Sequence, residues 1–384
     1  MILNHCSKVG NLILVVTLMA GLGHITHASA QQQSFLVDLN SRTATKLGTL
    51  GGDYSIAYDI NDAGQVVGFF RAMDGGFHGF ITGPAGMGMR DLGTLGGSYT
   101  IAAGINNAGR VVGETYVGSG SRAFITGPAG RGMRDLGTPA GATMSGAEDI
   151  NDAGQVVGWS RTNPASFNRA FITGPDGTGM RDLGTLRGNI SSAEGINNTG
   201  QVVGVFGTED NLHAFITGPN GVGMRDLHRS SWIQSFANDI NDAGQVVGYY
   251  TTSAGDPFDP NAYTSHAFIT GPDGTGMRGL GELAGGSSFA RAINDGGQVA
   301  GGSHAAEGGY HAVITSANGM GTMDLNSLVE LPEGVILTDA VDINKNGQVI
   351  ATGIVPEPEA YALMLAGLVL VGFIARRKKG KNPR

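Results

Sequence analysis

Asp59-Ile60-Asn61-Asp62-Ala63-Gly64-Gln65-Val66-Val67-Gly68, DINDAGQVVG, returns letter for letter at 149–158 and 239–248. Its Ile-Asn pair recurs at Ile60, Ile105, Ile150, Ile196, Ile240, Ile293 and Ile343, with spacings of 45, 45, 46, 44, 53 and 50 residues. A period of this length marks a repeat architecture in which each unit is one supersecondary block. A residue present in every copy is expected to be there because every copy needs it to fold.

One unit divides into four short strand candidates: A-x-[DG]-I-N, Q-V-V-G, H-A-F-I-T and M-R-D-L-G. Each has four to six residues and is bounded by turn signals such as Asn61–Gly64 and Gly83–Gly86. Glycine supplies the positive φ at the turn ends, and Asn or Asp folds its side chain onto its own backbone. The 66 glycines among 384 residues suit many tight turns and few helices. Four antiparallel strands per ~45 residues, seven times over, predict an all-β, seven-bladed β-propeller. A-x-[DG]-I-N is expected innermost, its small alanine (Ala57, Ala102, Ala147, Ala193, Ala237, Ala290, Ala340) fitting the crowded axis. That alanine and the isoleucine three residues on are expected on opposite sides of the strand.

The ends predict closure. Phe35-Leu36-Val37 matches a third strand and Thr45-Lys46-Leu47-Gly48 a fourth, while the last unit supplies only Ala340–Asn344 and Gln348–Thr352. Two strands from each terminus would complete one blade and leave no sheet edge. An open solenoid is the alternative, and it would want dedicated caps. A finer period lies on top. Aspartate precedes Ile-Asn in units one, three, five and seven (Asp59, Asp149, Asp239, Asp342), and glycine does so in two and four (Gly104, Gly195). The pattern reads as duplication of a two-blade unit.

Both termini carry export signals. Residues 1–30 read as a secretory signal peptide: Lys8, the apolar stretch 12–22, and an A-x-A site at Ala28-Ser29-Ala30 for signal peptidase. The single cysteine, Cys6, leaves with it. Residues 31–354 form the repeat body. In 355–384, Pro356-Glu357-Pro358 precedes an uncharged run, 360–375, and then Arg376-Arg377-Lys378-Lys379. As a helix the run spans about 24 Å, a short single transmembrane segment.

This tail resembles the PEP-CTERM sorting signal of exopolysaccharide-producing Gram-negative bacteria. The resemblance implies recognition by an exosortase, removal of the helix, and delivery to the cell surface or extracellular matrix. A permanent anchor is the alternative. Removing Lys8, six basic tail residues, Glu357 and Glu359 takes the formal charge from −8 to −13. An acidic body argues against nucleic acid. The repeats themselves resemble the HAF-repeat family of secreted bacterial proteins, through Ala123-Phe124, Ala170-Phe171, His213-Ala214-Phe215, His266-Ala267-Phe268 and the DLGTLGG and GQVVG phrases. The resemblance implies an extracellular location and no particular activity.

Chemical motifs are scarce. Asp59, Asn61 and Gly64 fit positions 1, 3 and 6 of a calcium loop, but Ala63 and Phe70 fail positions 5 and 12, so a hairpin turn is expected. Four of the six body histidines hold one repeat position and are expected to spread around a ring rather than converge on a metal. The recurrent Arg-Asp pairs from Arg90-Asp91 onward are expected to act across strands. No nucleophile elbow, P-loop, zinc-protease or dinucleotide motif occurs.

Function in a repeat scaffold is expected where units differ. The residue after the fixed alanine varies freely: Tyr58, Ala103, Glu148, Glu194, Asn238, Arg291, Val341. An insertion between Tyr250 and His266 carries Asp256 and Asp259. Tyr58, Glu148, Glu194, Asn238, Arg291, Asp256 and Asp259 are therefore the candidate ligand surface. The expected role is a non-catalytic exported surface or matrix protein, associated with exopolysaccharide or biofilm, with no cofactor. A secreted glycan lyase or hydrolase using Glu148 and Glu194, or an adhesin needing Ca2+, are the alternatives.

Overall fold

The computed structural model describes residues 31–355 apart from 53, 119, 209–210, 254–262 and 284–285. The signal-peptide and sorting-tail readings, including the 360–375 helix, and Asp256 and Asp259 lie outside the described residues. Within them the chain is a seven-bladed β-propeller of four-stranded antiparallel sheets. Blade 1 shows the plan: Ser55–Ile60 innermost, then Val66–Arg71, Phe77–Ile81 and the short outer strand Arg90–Asp91. Blade 7 pairs Ile336–Ile343 and Gln348–Val355 from the C-terminal side with Gln31–Asp38 and Thr43–Lys46 from the N-terminal side. The predicted latch is present, so no blade is left half-built, and among the described residues the outward edges are the short outer strands.

Strand direction sorts the loops onto two faces. The N-D-A-G hairpins and G-P-x-G turns, nearly invariant, lie together on what we term the turn face. The connections between second and third strands and between blades, variable in length and sequence, lie on the opposite, varied face.

Each inner strand carries a β-bulge just after the fixed alanine, as between Ala57 and Asp59 or Ala193 and Gly195. The bulge corrects one expectation. An extra residue restores alternation, so Ala57 and Ile60 face the same side and share a core with Val66 and Phe80 against Leu36, Leu47 and Ile350 of blade 7. Val67 and Ile81 cover the other side, against Ala102 and Ile105 of blade 2. Four further blade junctions repeat this packing among the described residues. The core is thus a series of inter-blade layers, with Phe80, Phe124, Phe171, Phe215 and Phe268 fully buried.

The glycine of Q-V-V-G answers the bulge. A Cβ on Gly204 would sit 2.1 Å from the Ser192 carbonyl oxygen, and the equivalent glycines of five other blades have 1.9–2.1 Å. Blade 7 has Ala351 there, opposite Ala340, and its inner strand carries a second register shift between Leu337 and Asp339. Gly204→Ala is therefore expected to cost about 2–3 kcal/mol, read from the urea unfolding midpoint. A change below about 0.5 kcal/mol would mean the bulge yields freely to the added methyl group.

Candidate functional site: the central channel and its varied-face mouth

Seven inner strands line a central channel, and its walls divide into three levels. On the turn face the seven Ile-Asn asparagines form a closed ring. Each Nδ2 donates to the backbone carbonyl of the next asparagine around the axis, from Asn61 to Asn106 and finally from Asn344 back to Asn61, at 3.0–3.1 Å. Their Oδ1 atoms accept from the backbone of their own hairpins, as Asn61 does from Ala63 and Gln65. These asparagines are 3–6% exposed. The repeat phrase is thus an inter-blade fastener.

The middle level explains the two-blade period. Each of the seven isoleucine N–H groups points at the channel and needs an acceptor. Asp149 takes Ile150 and Ile196, Asp239 takes Ile240 and Ile293, and Asp342 takes Ile343 and Ile60, while Asp59 takes Ile105 alone, all at 2.6–2.9 Å. One carboxylate serves its own blade and the next, so glycine or alanine suffices in between. Seven is odd, and the remainder falls at the 7–1 junction, where Asp59 has an oxygen to spare and hydrogen-bonds Asp342. Two carboxyls can share such a contact only with a proton between them. Burial, then Asp342, raises the Asp59 pKa well above the carboxylate range. Burial also lifts Asp149 to about 6 and Asp239 to about 8.

The third level is the varied-face mouth, a depression of about 140 Å³ lined by Tyr58, Glu148, Glu194, Asn238 and Arg291 above the aspartates. The bulge explains this placement: the variable residue has no partner in the second strand and projects into the channel. Five of the seven sequence candidates therefore converge here. Glu148 Oε1 accepts from Trp159 Nε1 at 2.9 Å, and Asn238 donates to the Ala290 carbonyl at 2.6 Å. Arg291 pairs with Asp339 at 3.1 Å and lies 4.6 Å over the Phe289 ring. Burial, then Glu194, raises Glu148 to about 8, and burial raises Glu194. The mouth is thus lined at neutral pH by a carboxyl that keeps its proton, and the floor beneath is acidic.

Sequence reasoning missed an aromatic lane beginning at this mouth. Tyr58 packs on Phe69 (5.8 Å between ring centres), which also meets Tyr54. The lane continues through Phe77 (5.4 Å), Tyr99 (6.1 Å) and Tyr116 (5.1 Å) across the varied face of blades 1 and 2. Tyr58 and Tyr116, at its ends, are 38% and 43% exposed. Only Tyr58 and Phe69 occupy positions whose variation the repeats reveal; the others sit at blade margins, where the units differ in length and sequence.

The remaining candidates are structural. His78, His213 and His311 pair with the strand-four aspartates Asp91, Asp226 and Asp324 at 2.7–3.1 Å, and Arg169 replaces histidine against Asp182. Blade 5 has Gly279 in place of the aspartate, and His266 turns to Glu282. The arginine of each Arg-Asp pair donates to the left-handed residue of the next blade's G-P-x-G turn, as Arg90 does to Ala129 and Arg181 to Asn220. Among the described residues no group of three or more His, Cys, Asp or Glu is placed to hold a metal ion.

Comparison with known proteins bears on the tail and the fold. Residues 355–379 match the PEP-CTERM protein-sorting motif. No curated protein matches the chain. The β-propeller domain of the Trilobed protease from Pyrococcus furiosus, with an open velcro topology, superposes with a TM-score of 0.53 at 11% identity, covering 79% of this chain and 91% of that one. Oligogalacturonate lyase in complex with manganese gives 0.50 at 13% identity over 86% and 99%. A putative TolB from Agrobacterium tumefaciens gives 0.49 at 11% identity over 86% and 100%. At these identities the first two likenesses bear on the propeller fold alone.

Proposed function

We propose that this is a non-catalytic protein of the cell surface or extracellular matrix, associated with exopolysaccharide. The sorting motif identifies an exported protein handled by an exosortase. Placement in the matrix is supported by the acidic body and by the likeness of the repeats to secreted HAF-repeat proteins. One observation carries the binding role: where the repeats agree, around a cavity of about 190 Å³ on the turn-face side, the channel's side chains are hydrogen-bonded to one another from blade to blade, whereas where they differ the channel ends in a polar, ring-lined mouth of about 140 Å³. A scaffold spends its invariant residues on folding and its variable ones on ligands.

The test is fractionation in an exosortase-bearing host. The full chain is expected with the surface polysaccharide fraction, and the chain lacking 355–384 is expected to lose most of that association and pass to other fractions. Identical distributions would overturn the sorting account. A glycan-cleaving reading draws on Glu148 and Glu194, a proton-holding carboxyl beside a second one. Polysaccharide chain scission that vanishes in Glu148→Gln would establish it against the binding role.

A further inference from the structure

We propose that the lane from Tyr58 to Tyr116, with Glu114 and Glu148 beside it, is the seat of an extended glycan chain. The proposal rests on the polysaccharide-associated reading above and names the surface responsible.

A pyranose ring has an apolar C–H face and a rim of hydroxyls, so its receptor needs ring platforms next to groups that both donate and accept. The lane supplies both. Edge-to-face packing holds its rings rigidly: Phe69 on Phe77 at 82°, Phe77 on Tyr99 at 81° and Tyr99 on Tyr116 at 80°. Successive centres lie 5.1–6.1 Å apart, so the exposed ring at either end is braced before any ligand arrives. Polar partners stand along one side. Glu114, held by Ser121 at 2.7 Å, interacts electrostatically with both Tyr58 and Tyr99, and Glu148 faces Tyr58 across the mouth. Burial raises both glutamates, Glu148 to about 8, so Glu148 offers an O–H donor beside the carboxyl oxygens of Glu114.

The chemistry disfavours other occupants. Nucleic acid is opposed by an acidic floor with Arg291 already engaged to Asp339. A folded protein partner needs about 800 Å² of contact on each side. The mouth is a concavity of about 140 Å³, and the outer margin of the lane is a single exposed ring, Tyr116. A chain one sugar wide fits that shape. The blade-5 insertion leaves and returns on this same face, at Ser253 and Tyr263, three blades from the lane, and the site does not depend on it.

The experiment is affinity electrophoresis of the exported protein through gels holding a neutral β-glucan or the acidic alginate. The wild type is expected to be retarded by the β-glucan. Tyr58→Ala/Tyr116→Ala is expected to bind about tenfold more weakly. Tyr58→Phe, which keeps the ring, retains most of the binding, and Val222→Ala on the turn face changes nothing. Melting curves establish that each variant is folded; should the double variant unfold, Tyr116→Ala alone, at an exposed position, carries the test. Retardation by the β-glucan, alone or together with alginate, points to ring stacking and supports the proposal; retardation by alginate alone, which the acidic floor opposes, would place glycan binding elsewhere and overturn this site. Wild-type retardation left intact in the folded Tyr variants would overturn this site while sparing the polysaccharide reading. No retardation of the wild type in either gel would overturn both. Cross-linking of a lane tyrosine to an envelope protein, with no glycan retardation, would assign the lane to a protein partner and overturn the proposal.

Discussion

Asn197→Ala is expected to lower the unfolding free energy by about 3 kcal/mol, the largest effect of any single exchange at the turn face. The side chain is 4% exposed and makes two kinds of contact at once. Its Nδ2 donates to the Asn241 carbonyl at 3.0 Å and to Gln201 Oε1 at 2.8 Å. Its Oδ1 accepts from the Gln201 and Thr199 backbones at 3.0 and 3.2 Å. Truncation leaves the buried Gln201 N–H without a partner and takes one donor each from the Asn241 carbonyl, which keeps Gly244 N–H, and from Gln201 Oε1, which keeps Thr199 Oγ1. Desolvation of an orphaned group costs about 1–3 kcal/mol, and the weakened contacts add to it. Asn197→Asp restores the acceptor but not the donors, so it is expected to recover little. The next residue, Asn198, also reaches around the ring, to Asp242 at 2.8 and 2.9 Å, but from an exposed position. Asn198→Ala is expected to cost well under 1 kcal/mol. Urea denaturation of the three variants measures the contrast; equal losses at 197 and 198 would contradict the ring.

The second large effect is with pH, and its sign is unusual for carboxyls. Acid groups in most folded proteins are stabilised as anions, so stability falls in acid. Here burial and mutual repulsion raise the folded-state pKa to about 6 for Asp149 and about 8 for Asp239 and Glu148, against about 4 in an unfolded chain. The folded state binds more protons than the unfolded one across that interval. The contribution is fully present below about pH 4 and is lost as pH climbs through 6 and then 8. The melting temperature is therefore expected to fall from pH 5 to pH 9. Groups facing these carboxyls from the other blades are Asp59, Asp342, Glu194, Glu114 and Arg291; only Arg291 opposes the trend, and it is committed to Asp339.

Two substitutions separate this cause from general charge effects. Asp59 needs one oxygen for Ile105 and a proton for Asp342. Asparagine supplies both, with no charge to lose, so Asp59→Asn is expected to raise the melting temperature at pH 9 and leave it nearly unchanged at pH 5. Asp239 needs both oxygens, for Ile240 and Ile293. Asp239→Asn presents an amide to one N–H and is expected to destabilise at pH 5, where the charge difference is smallest. Differential scanning calorimetry at the two pH values reads all four cases. A melting temperature that rises between pH 5 and 9, or equal behaviour of the two variants, would contradict the shared-acceptor account.

Much of this was visible as letters. The Ile-Asn period gives the blade count, the half-units at the two ends give the latch, and the alternation of aspartate with glycine gives the pairing of blades. Its reason was not visible, because seven amides shared among four carboxylates is a property of a closed ring and no single repeat displays it. The Ala-x-x-Ile spacing misled for a similar cause. A bulge leaves no mark in spacing, and without it the two residues point apart. Yet the bulge is what turns the one freely varying position, Tyr58 and its equivalents, into the channel mouth. The aromatic lane was the least legible, since Tyr54, Tyr99 and Tyr116 come from blade margins and meet only when neighbouring blades are set side by side.

Hydroxyl-radical footprinting of the exported protein, free and on a polysaccharide that retards it, tests whether the varied face is the binding face. Protection is expected at Tyr58, Tyr99 and Tyr116, with Met87, Val222 and Met320 on the turn face, 62–68% exposed, reacting as in the free protein. Protection on the turn face with the three tyrosines unchanged would contradict it.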